Sequence, residues 1–88
     1  MKRTEIPLTS IDGAAQAIHS ALTKRLMEKG FGSFASSHEI LGILDEEYDE
    51  MRDEVRANDI EGLRNELIDI AVAAQFAIAC IDHGDITR

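Results

Sequence analysis

The sequence predicts an all-α fold, and three observations carry that prediction. Apolar residues recur at intervals of three and four over three long segments, which is the spacing of an amphipathic helix. The 88 residues include one proline and no tryptophan, and few runs alternate apolar and polar residues as a strand does. Candidate N-caps and glycines separate the segments. We therefore expect one three-helix domain over residues 1–88, with a flexible arm at 1–11 and a polar tail at 83–88.

The first helix is predicted to begin at Asp12 and to end near Lys29. Asp12 is a favourable N-cap, Pro7 disfavours an earlier start, and Gly30 is well placed to end the helix. The predicted core-facing row has apolar residues three and four positions apart: Ile11, Ala15, Ile18, Leu22 and Leu26.

The second and third helices are predicted to form a long antiparallel hairpin. Ser37 is a candidate N-cap for the second helix, which is expected to end near Ala57. The third begins at Ile60 or Leu63 and runs to Asp82. The predicted core rows are Leu41, Leu44, Tyr48, Met51 and Val55 on the second helix, and Leu63, Leu67, Ile70, Ala74, Ile78 and Ile81 on the third. Because a chain this short has a thin core, we expect it to assemble into a helical-bundle homo-oligomer.

Charge and composition exclude several classes of function. The formal net charge of −8 argues against a nucleic-acid surface, which needs clustered Lys and Arg. The single Cys80 excludes an intramolecular disulfide and fits a reducing cytoplasm. Lys2 and Arg3 are followed by no apolar signal region, and no apolar run approaches the roughly 18 residues of a membrane span. We expect a cytoplasmic protein that binds neither nucleic acid nor membrane.

Acidic residues are concentrated in the second helix, where residues 45–54 hold seven acids in ten positions. At about 100° per residue, most of these acids point away from the predicted core and are expected to be solvated. Glu47 and Glu50 differ, because they continue a row that begins at Ile40 and Ile43. One edge of this helix is therefore apolar at one end and acidic at the other.

The third helix repeats this arrangement. Glu66 and Asp69 are three residues apart, so both project from one face. In an antiparallel hairpin they can lie opposite residues 47–50, which brings four carboxylates into one pocket. Asp69 is the least expected of the acids on structural grounds, because Ile68 and Ile70 flank it.

An unpaired buried carboxylate costs several kcal/mol, so this pocket needs positive charge. Two sources are open. One is an arginine partner, for which Arg52, Arg56 and Arg64 are candidates. The other is a divalent cation with oxygen ligands, and magnesium suits because it binds carboxylates while keeping sites for water and phosphates.

The two acidic motifs resemble those of a known family. Residues 46–50 read Glu-Glu-Tyr-Asp-Glu, and residues 66–69, after fifteen intervening residues, read Glu-Leu-Ile-Asp. EExxE on one helix followed by ExxD on the next is the pattern of the MazG-like all-α nucleoside triphosphate pyrophosphatases. The resemblance covers roughly residues 12–82.

The resemblance implies a function and a set of ligands. Glu47, Glu50, Glu66 and Asp69 would ligate magnesium, or manganese in its place, and Glu46 would be an outer or second-metal ligand. All five would be catalytic. The reaction would be hydrolysis between the α- and β-phosphates of a nucleoside triphosphate, giving a monophosphate and pyrophosphate, as in house-cleaning of the nucleotide pool. Members of the family work as dimers or tetramers, so a homodimer or homotetramer is expected.

Four further residues are candidate substrate contacts. Lys24, Arg25 and Lys29 can reach phosphates, although basic residues near a helix C-terminus also answer the helix dipole. Phe34 can stack on a base or pack under its own loop. The chain departs from many MazG-like domains in having no tryptophan ahead of the first motif, so its recognition of the base is expected to differ.

Two alternative functions stay open. One is a related enzyme, a phosphoribosyl-ATP pyrophosphohydrolase. The other is a non-enzymatic helical interaction module, in which the acids are surface charge and the third helix is an oligomer seam. The sequence does not predict the base or the sugar of the substrate, or whether the nucleotide is canonical or damaged. It also does not predict the number of metal ions or whether the oligomer is a dimer or a tetramer.

Overall fold

A computed structural model describes residues 2–88 and contains three α-helices. They are α1 (Leu8–Lys29), α2 (Ser37–Arg56) and α3 (Ile60–His83). There is no strand among the described residues, so the prediction of an all-α fold is confirmed. None of the three helices combines the length and the apolar character that crossing a membrane requires.

Helix α1 begins at Leu8, four residues before the predicted start at Asp12. Pro7 precedes it in an extended conformation, with φ −68° and ψ 152°. The Pro7 carbonyl accepts hydrogen bonds from the backbone N–H groups of Ser10 and Ile11 at 3.0 and 3.4 Å. A proline costs nothing here, because the first N–H groups of a helix have no intrahelical partner anyway. The predicted irregular arm is therefore wrong for residues 8–11.

Helix α2 is capped by Ser36 rather than by the predicted Ser37. Ser36 Oγ accepts a hydrogen bond from Glu39 N at 3.2 Å, and Glu39 Oε1 accepts one from Ala35 N at 3.1 Å. This exchange resembles a capping box and satisfies two donors at the helix start. Ser37 is the first helical residue, and its N–H donates to the Arg88 carbonyl at 3.0 Å.

The turn between α2 and α3 is three residues long. Asn58 has a φ of 59°, in the left-handed region that asparagine tolerates better than most residues. Asp59 then caps α3 by accepting a hydrogen bond from Gly62 N at 2.9 Å. So short a connection keeps the end of α2 beside the start of α3.

Helix α3 is the central element of the fold. It packs against both α1 and α2, whereas α1 and α2 do not pack against each other in the described part of the chain. The buried apolar side chains belong to α3 and to the segment after it: Val72, Ala73, Ala77, Cys80 and Ile86. Because Ile86 is buried, the prediction of a polar tail at 83–88 is wrong for this residue.

The contacts between α2 and α3 run in opposite directions along the two helices. Glu54 lies against Gly62 near the turn, and Glu47 lies near Glu66 and Asp69 further on. The edge of α2 that meets α3 is therefore the one that turns from apolar to acidic.

The predicted core rows of α2 and α3 are wrong in part for the single chain. On α2, Leu41, Tyr48 and Val55 are 58%, 50% and 57% exposed. On α3, Leu67 and Ile78 are also exposed. Both helices carry apolar residues over a wider arc than one neighbour can cover. The spacing therefore identified the helices but not the side of each that faces its neighbour.

Replacing Ser36 with alanine tests the observed cap. Loss of the hydroxyl leaves the Glu39 N–H without its acceptor, and we expect the free energy of unfolding to fall by about 1 kcal/mol. Ser37→Ala is the matched control, and its expected effect is within about 0.5 kcal/mol. Urea unfolding monitored by circular dichroism measures both, and a larger loss in Ser37→Ala would contradict the assignment.

Candidate metal centre

Three of the predicted carboxylates converge between α2 and α3. Glu47 comes from α2, and Glu66 and Asp69 come from successive turns of α3. One oxygen of each lies within 4.8 Å of the others, and all three side chains are partly buried. Residues three apart share a helix face, so α3 presents its pair towards Glu47.

Two oxygens in this group have no hydrogen-bond partner. Glu47 Oε2 and Glu66 Oε2 are both shielded from solvent and receive no hydrogen bond. An ionised carboxylate only accepts, so neither glutamate can satisfy the other unless one of them keeps a proton. A buried ionised group without a hydrogen-bond partner costs more free energy than a neutral one. Either a proton or a cation at these oxygens would relieve that cost.

The environment of Glu66 favours the protonated form. Burial raises the pKa of Glu66 above its ordinary value, and the neighbouring Glu47 carboxyl and the charge of Asp69 raise it further. The neighbouring Glu50 carboxyl acts in the opposite direction on the pKa of Glu66. The net effect is a carboxyl group that ionises less readily than usual while no cation is present.

Glu50 and Glu46, the other two predicted acids, lie at the edge of the cluster. Both side chains are exposed, and neither belongs to the convergent group of three. The adjacent Glu66 carboxyl raises the pKa of Glu50, and the charge of Glu46 contributes less. Glu50 thus adjoins Glu66 directly, whereas Glu46 influences the cluster only through its charge.

The arginine partner of Asp69 comes from α1. Arg25 Nη2 donates to Asp69 Oδ1 at 3.2 Å. The predicted candidates were Arg52, Arg56 and Arg64, and none of them pairs with Asp69. Arg52 lies over the ring of Tyr48, 4.8 Å from its centre. Arginine thus compensates Asp69 but leaves Glu47 and Glu66 without positive charge.

A cavity of about 370 Å³ adjoins the carboxylates on the side of α1. Three of the four predicted substrate contacts line it, namely Arg25, Lys29 and Phe34. The fourth, Lys24, does not line it, and its Nζ lies 4.0 Å from Glu28 on the same helix face. Arg25 belongs both to the cavity wall and to the Asp69 ion pair, so the two features meet at this residue.

Apart from the two cations and two glycines, the cavity wall is apolar. Three helices and the loop contribute to it: Leu22, Leu26, Ile43, Val72, Ala73, Phe34 and Phe76. The rings of Phe34 and Phe76 meet edge to face, with centres 5.3 Å apart and planes at 82°. Phe34 thus packs on Phe76 of α3 and not only under its own loop. Its ring still borders the cavity, so contact with a base stays open.

Ile43 and Phe76 were not predicted as site residues, although a signal for them exists. Each belongs to a helical row that becomes acidic at its other end, and those rows face each other across α2 and α3. The sequence gives no such signal for the contact of Arg25 with Asp69. The spacing of residues in α1 does not show where this helix packs on α3.

Comparison with protein-family models, with curated proteins and with solved structures finds no match in any of the three. The likeness to the MazG-like family therefore stays a prediction carried by the two motifs.

Replacing Glu66 with glutamine tests the electrostatic cost of the cluster. The folded-state pKa of Glu66 lies above its ordinary value of 4.5, so the folded chain holds this proton more tightly than the unfolded chain. Without metal, the free energy of unfolding should therefore decrease as the pH rises from about 4.5 through the raised pKa. We expect Glu66→Gln to weaken this decrease and to be more stable than wild type at pH 7 in EDTA.

Asp45→Asn is the control, because it removes an exposed acid from α2 outside the cluster. It should change the pH dependence much less. Thermal melts in EDTA between pH 4.5 and 8 measure all three proteins. Identical pH dependence in wild type and Glu66→Gln would contradict the cost assigned to this carboxylate.

Proposed function

We propose that this protein is a magnesium-dependent nucleoside triphosphate pyrophosphohydrolase of the MazG-like all-α type, forming a monophosphate and pyrophosphate. The observation that carries the proposal is the pair of shielded, unpartnered oxygens of Glu47 and Glu66 in a group of three convergent carboxylates. Hard divalent cations take oxygen ligands of this kind. Manganese accepts the same ligands and is expected to substitute.

The residues present fit such an ion. Glu47, Glu66 and Asp69 would hold it, with Glu50 close enough to Glu66 to join them and Glu46 in an outer position. The antiparallel α2–α3 hairpin is the scaffold that sets their spacing. When bound, magnesium supplies positive charge to phosphate oxygens and lowers the pKa of water, which is the chemistry that anhydride hydrolysis needs.

Arg25 and Lys29 fit the phosphate chain of the substrate. Both line the cavity, and Arg25 reaches Asp69, so its guanidinium lies between the cavity and the carboxylates. Guanidinium groups pair with phosphate through two parallel hydrogen bonds, and ammonium groups attract it as point charges. A triphosphate beside Arg25 would place its reacting phosphates next to the acidic cluster.

The apolar wall fits the nucleoside. Aromatic edges of Phe34 and Phe76 and the aliphatic side chains of α1 and α3 offer contact area to a base. The wall supplies few side-chain donors or acceptors, so hydrogen bonding to the base would depend mainly on the backbone of the loop. Removal of one nucleotide from the cellular pool is the physiological role proposed for this activity.

A second candidate function is favoured by one observation. Leu41, Tyr48 and Val55 form an exposed apolar row on α2, as a helical interaction module requires. In that reading the acids are surface charge, and the protein neither binds magnesium nor turns over nucleotides. The shielded oxygens of Glu47 and Glu66 favour the enzyme, because acids that serve only as surface charge have no reason to be shielded from solvent.

Release of pyrophosphate from a panel of NTPs and dNTPs with magnesium tests the activity directly, and phosphoribosyl-ATP in the panel tests the related enzyme. Glu47→Gln keeps the shape of the side chain but removes a ligand charge, and we expect kcat/KM to fall by about 100-fold or more. Asp45→Asn is the matched control on the same helix and should keep wild-type activity.

EDTA should abolish release, and added magnesium should raise the melting temperature of wild type but not of Glu47→Gln. Absence of release from every nucleotide, together with no effect of magnesium on the melting temperature, would leave the interaction module.

Arg25→Gln tests the role of the cavity in binding phosphate. A hydrogen bond to a charged group is worth roughly 1.5–3 kcal/mol, so KM for the triphosphate should rise about 10- to 100-fold. Lys24→Gln is the control, since Lys24 is the neighbouring cation that does not line the cavity. Steady-state kinetics at saturating magnesium measures both. Equal effects of the two substitutions would show that Arg25 acts only through general charge.

A further inference from the structure

A second cavity lies at the C-terminal end of α3, beside the loop that joins α1 to α2. Its volume is about 400 Å³. The polar residues that line it are Ser33, His83 and Asp85, and the aromatic ones are Phe31 and Phe76. We call it the α3-end cavity. Small-molecule sites are commonly of this size and combine an apolar wall with a few polar groups.

The loop between α1 and α2 borders both cavities with alternate residues. Gly30, Gly32 and Phe34 line the cavity that adjoins the carboxylates, whereas Phe31 and Ser33 line the α3-end cavity. The two cations of the first cavity do not line the second one. The two cavities are therefore neighbours with separate polar groups, and each can select a different kind of ligand.

Asp85 fixes the hydrogen-bonding state of His83. Asp85 Oδ2 lies 2.8 Å from His83 Nδ1. An ionised carboxylate only accepts hydrogen bonds, so Nδ1 carries the hydrogen and donates it. In the neutral ring, Nε2 is then left as an acceptor. The other carboxylate oxygen, Asp85 Oδ1, accepts no hydrogen bond from residues 2–88 and is a second acceptor.

Ser33 adds a third acceptor to this set. Its hydroxyl donates its one hydrogen to the Phe34 carbonyl at 2.8 Å, so Oγ can only accept a further hydrogen bond. Cys80, which also lines the cavity, has an S–H group that is only a weak donor. The side chains of the α3-end cavity therefore suit a ligand that brings N–H donors of its own.

The charges around the α3-end cavity favour a cation. The cavity lies at the C-terminal end of α3, where the last carbonyl groups of a helix carry a partial negative charge. Asp85 adds a carboxylate, and the whole chain has a formal net charge of −8. Among the described residues, no lysine or arginine lines this cavity. The cavity beside the carboxylates has the opposite character, because Arg25 and Lys29 line it and can only donate.

The two phenylalanines favour an aromatic group on the ligand. Phe31 is 69% exposed, so a flat apolar ligand in the cavity would remove its ring from water. Aromatic rings also attract ammonium groups that come within about 6 Å of the ring centre. From the acceptors, the charge and the rings we infer that the α3-end cavity binds an organic cation, namely an ammonium group joined by a short alkyl chain to an aromatic ring.

This site is independent of the chemistry at the carboxylates, because none of the convergent acids lines the α3-end cavity. Glu47→Gln should therefore bind the cation as tightly as wild type does, whether or not nucleotides are hydrolysed. Failure of the enzymatic proposal would leave this inference standing, and the reverse also holds.

Titration of the full chain with phenethylammonium, followed by NMR shifts of the backbone amides, tests the site. We expect a dissociation constant of roughly 0.1–1 mM, as is usual for so small a ligand. The shifts should be largest at Phe31, at Ser33 and at residues 80–85. Hydrocinnamate has a similar shape and the opposite charge, and ethylammonium lacks the ring. Each should bind about 10-fold more weakly or worse, since each lacks one of the two inferred contacts.

Asp85→Asn keeps the shape of the side chain and removes its charge, and it should weaken phenethylammonium binding about 10-fold or more. Asp82→Asn is the matched control, because Asp82 is an exposed acid in the last turn of α3 that does not line the cavity. It should change the affinity less than about twofold. Equal losses in the two variants would overturn the inference. So would equal binding of hydrocinnamate, or the absence of shifts at the cavity residues, and both of these measurements need only the wild-type chain.

Discussion

The close approach of Glu47 and Glu66 is the constraint on which the remaining structure depends. Two shielded carboxylate oxygens without a donor oppose the packing of α2 on α3 at neutral pH, and apolar contacts elsewhere have to outweigh that repulsion. Those contacts come mainly from the second half of α3, where Val72, Ala73 and Ala77 are buried. The fold thus separates into an apolar half that holds the helices together and an acidic half that is held in place by it.

The sequence was sufficient to predict features that depend on one helix alone. Spacing by three and four located the helices, and the three-residue separation of Glu66 and Asp69 placed both on one face of α3. Convergence with Glu47 then followed from a short turn and opposed helices, and the structure brings the three together. Glu50 and Glu46 share the first motif, but both are exposed and lie outside this group of three.

Features that depend on how helices are arranged were not predictable. Ser36 and Ser37 are equally good caps by residue type, and only the path of the loop selects Ser36. Leu67 and Val72 are equally apolar, yet one is half exposed and the other is buried. Since α3 has no charged residue between Asp69 and Asp82, no boundary marks which part of its surface meets α1, α2 or another molecule. The contact of Arg25 with Asp69 depends on the same undetermined packing.

The Arg25–Asp69 pair gives the proposed site a built-in counterion. Before any ligand arrives, the guanidinium neutralises part of the acidic charge and ties α1 to α3 at 3.2 Å. If a divalent ion takes over Asp69, Arg25 loses its partner at the mouth of the cavity and gains affinity for an anion there. Under the proposed function, ion and triphosphate would then be linked ligands, each raising the affinity of the protein for the other by the same factor. One ion pair would thus couple the proposed metal to the proposed triphosphate in this small protein.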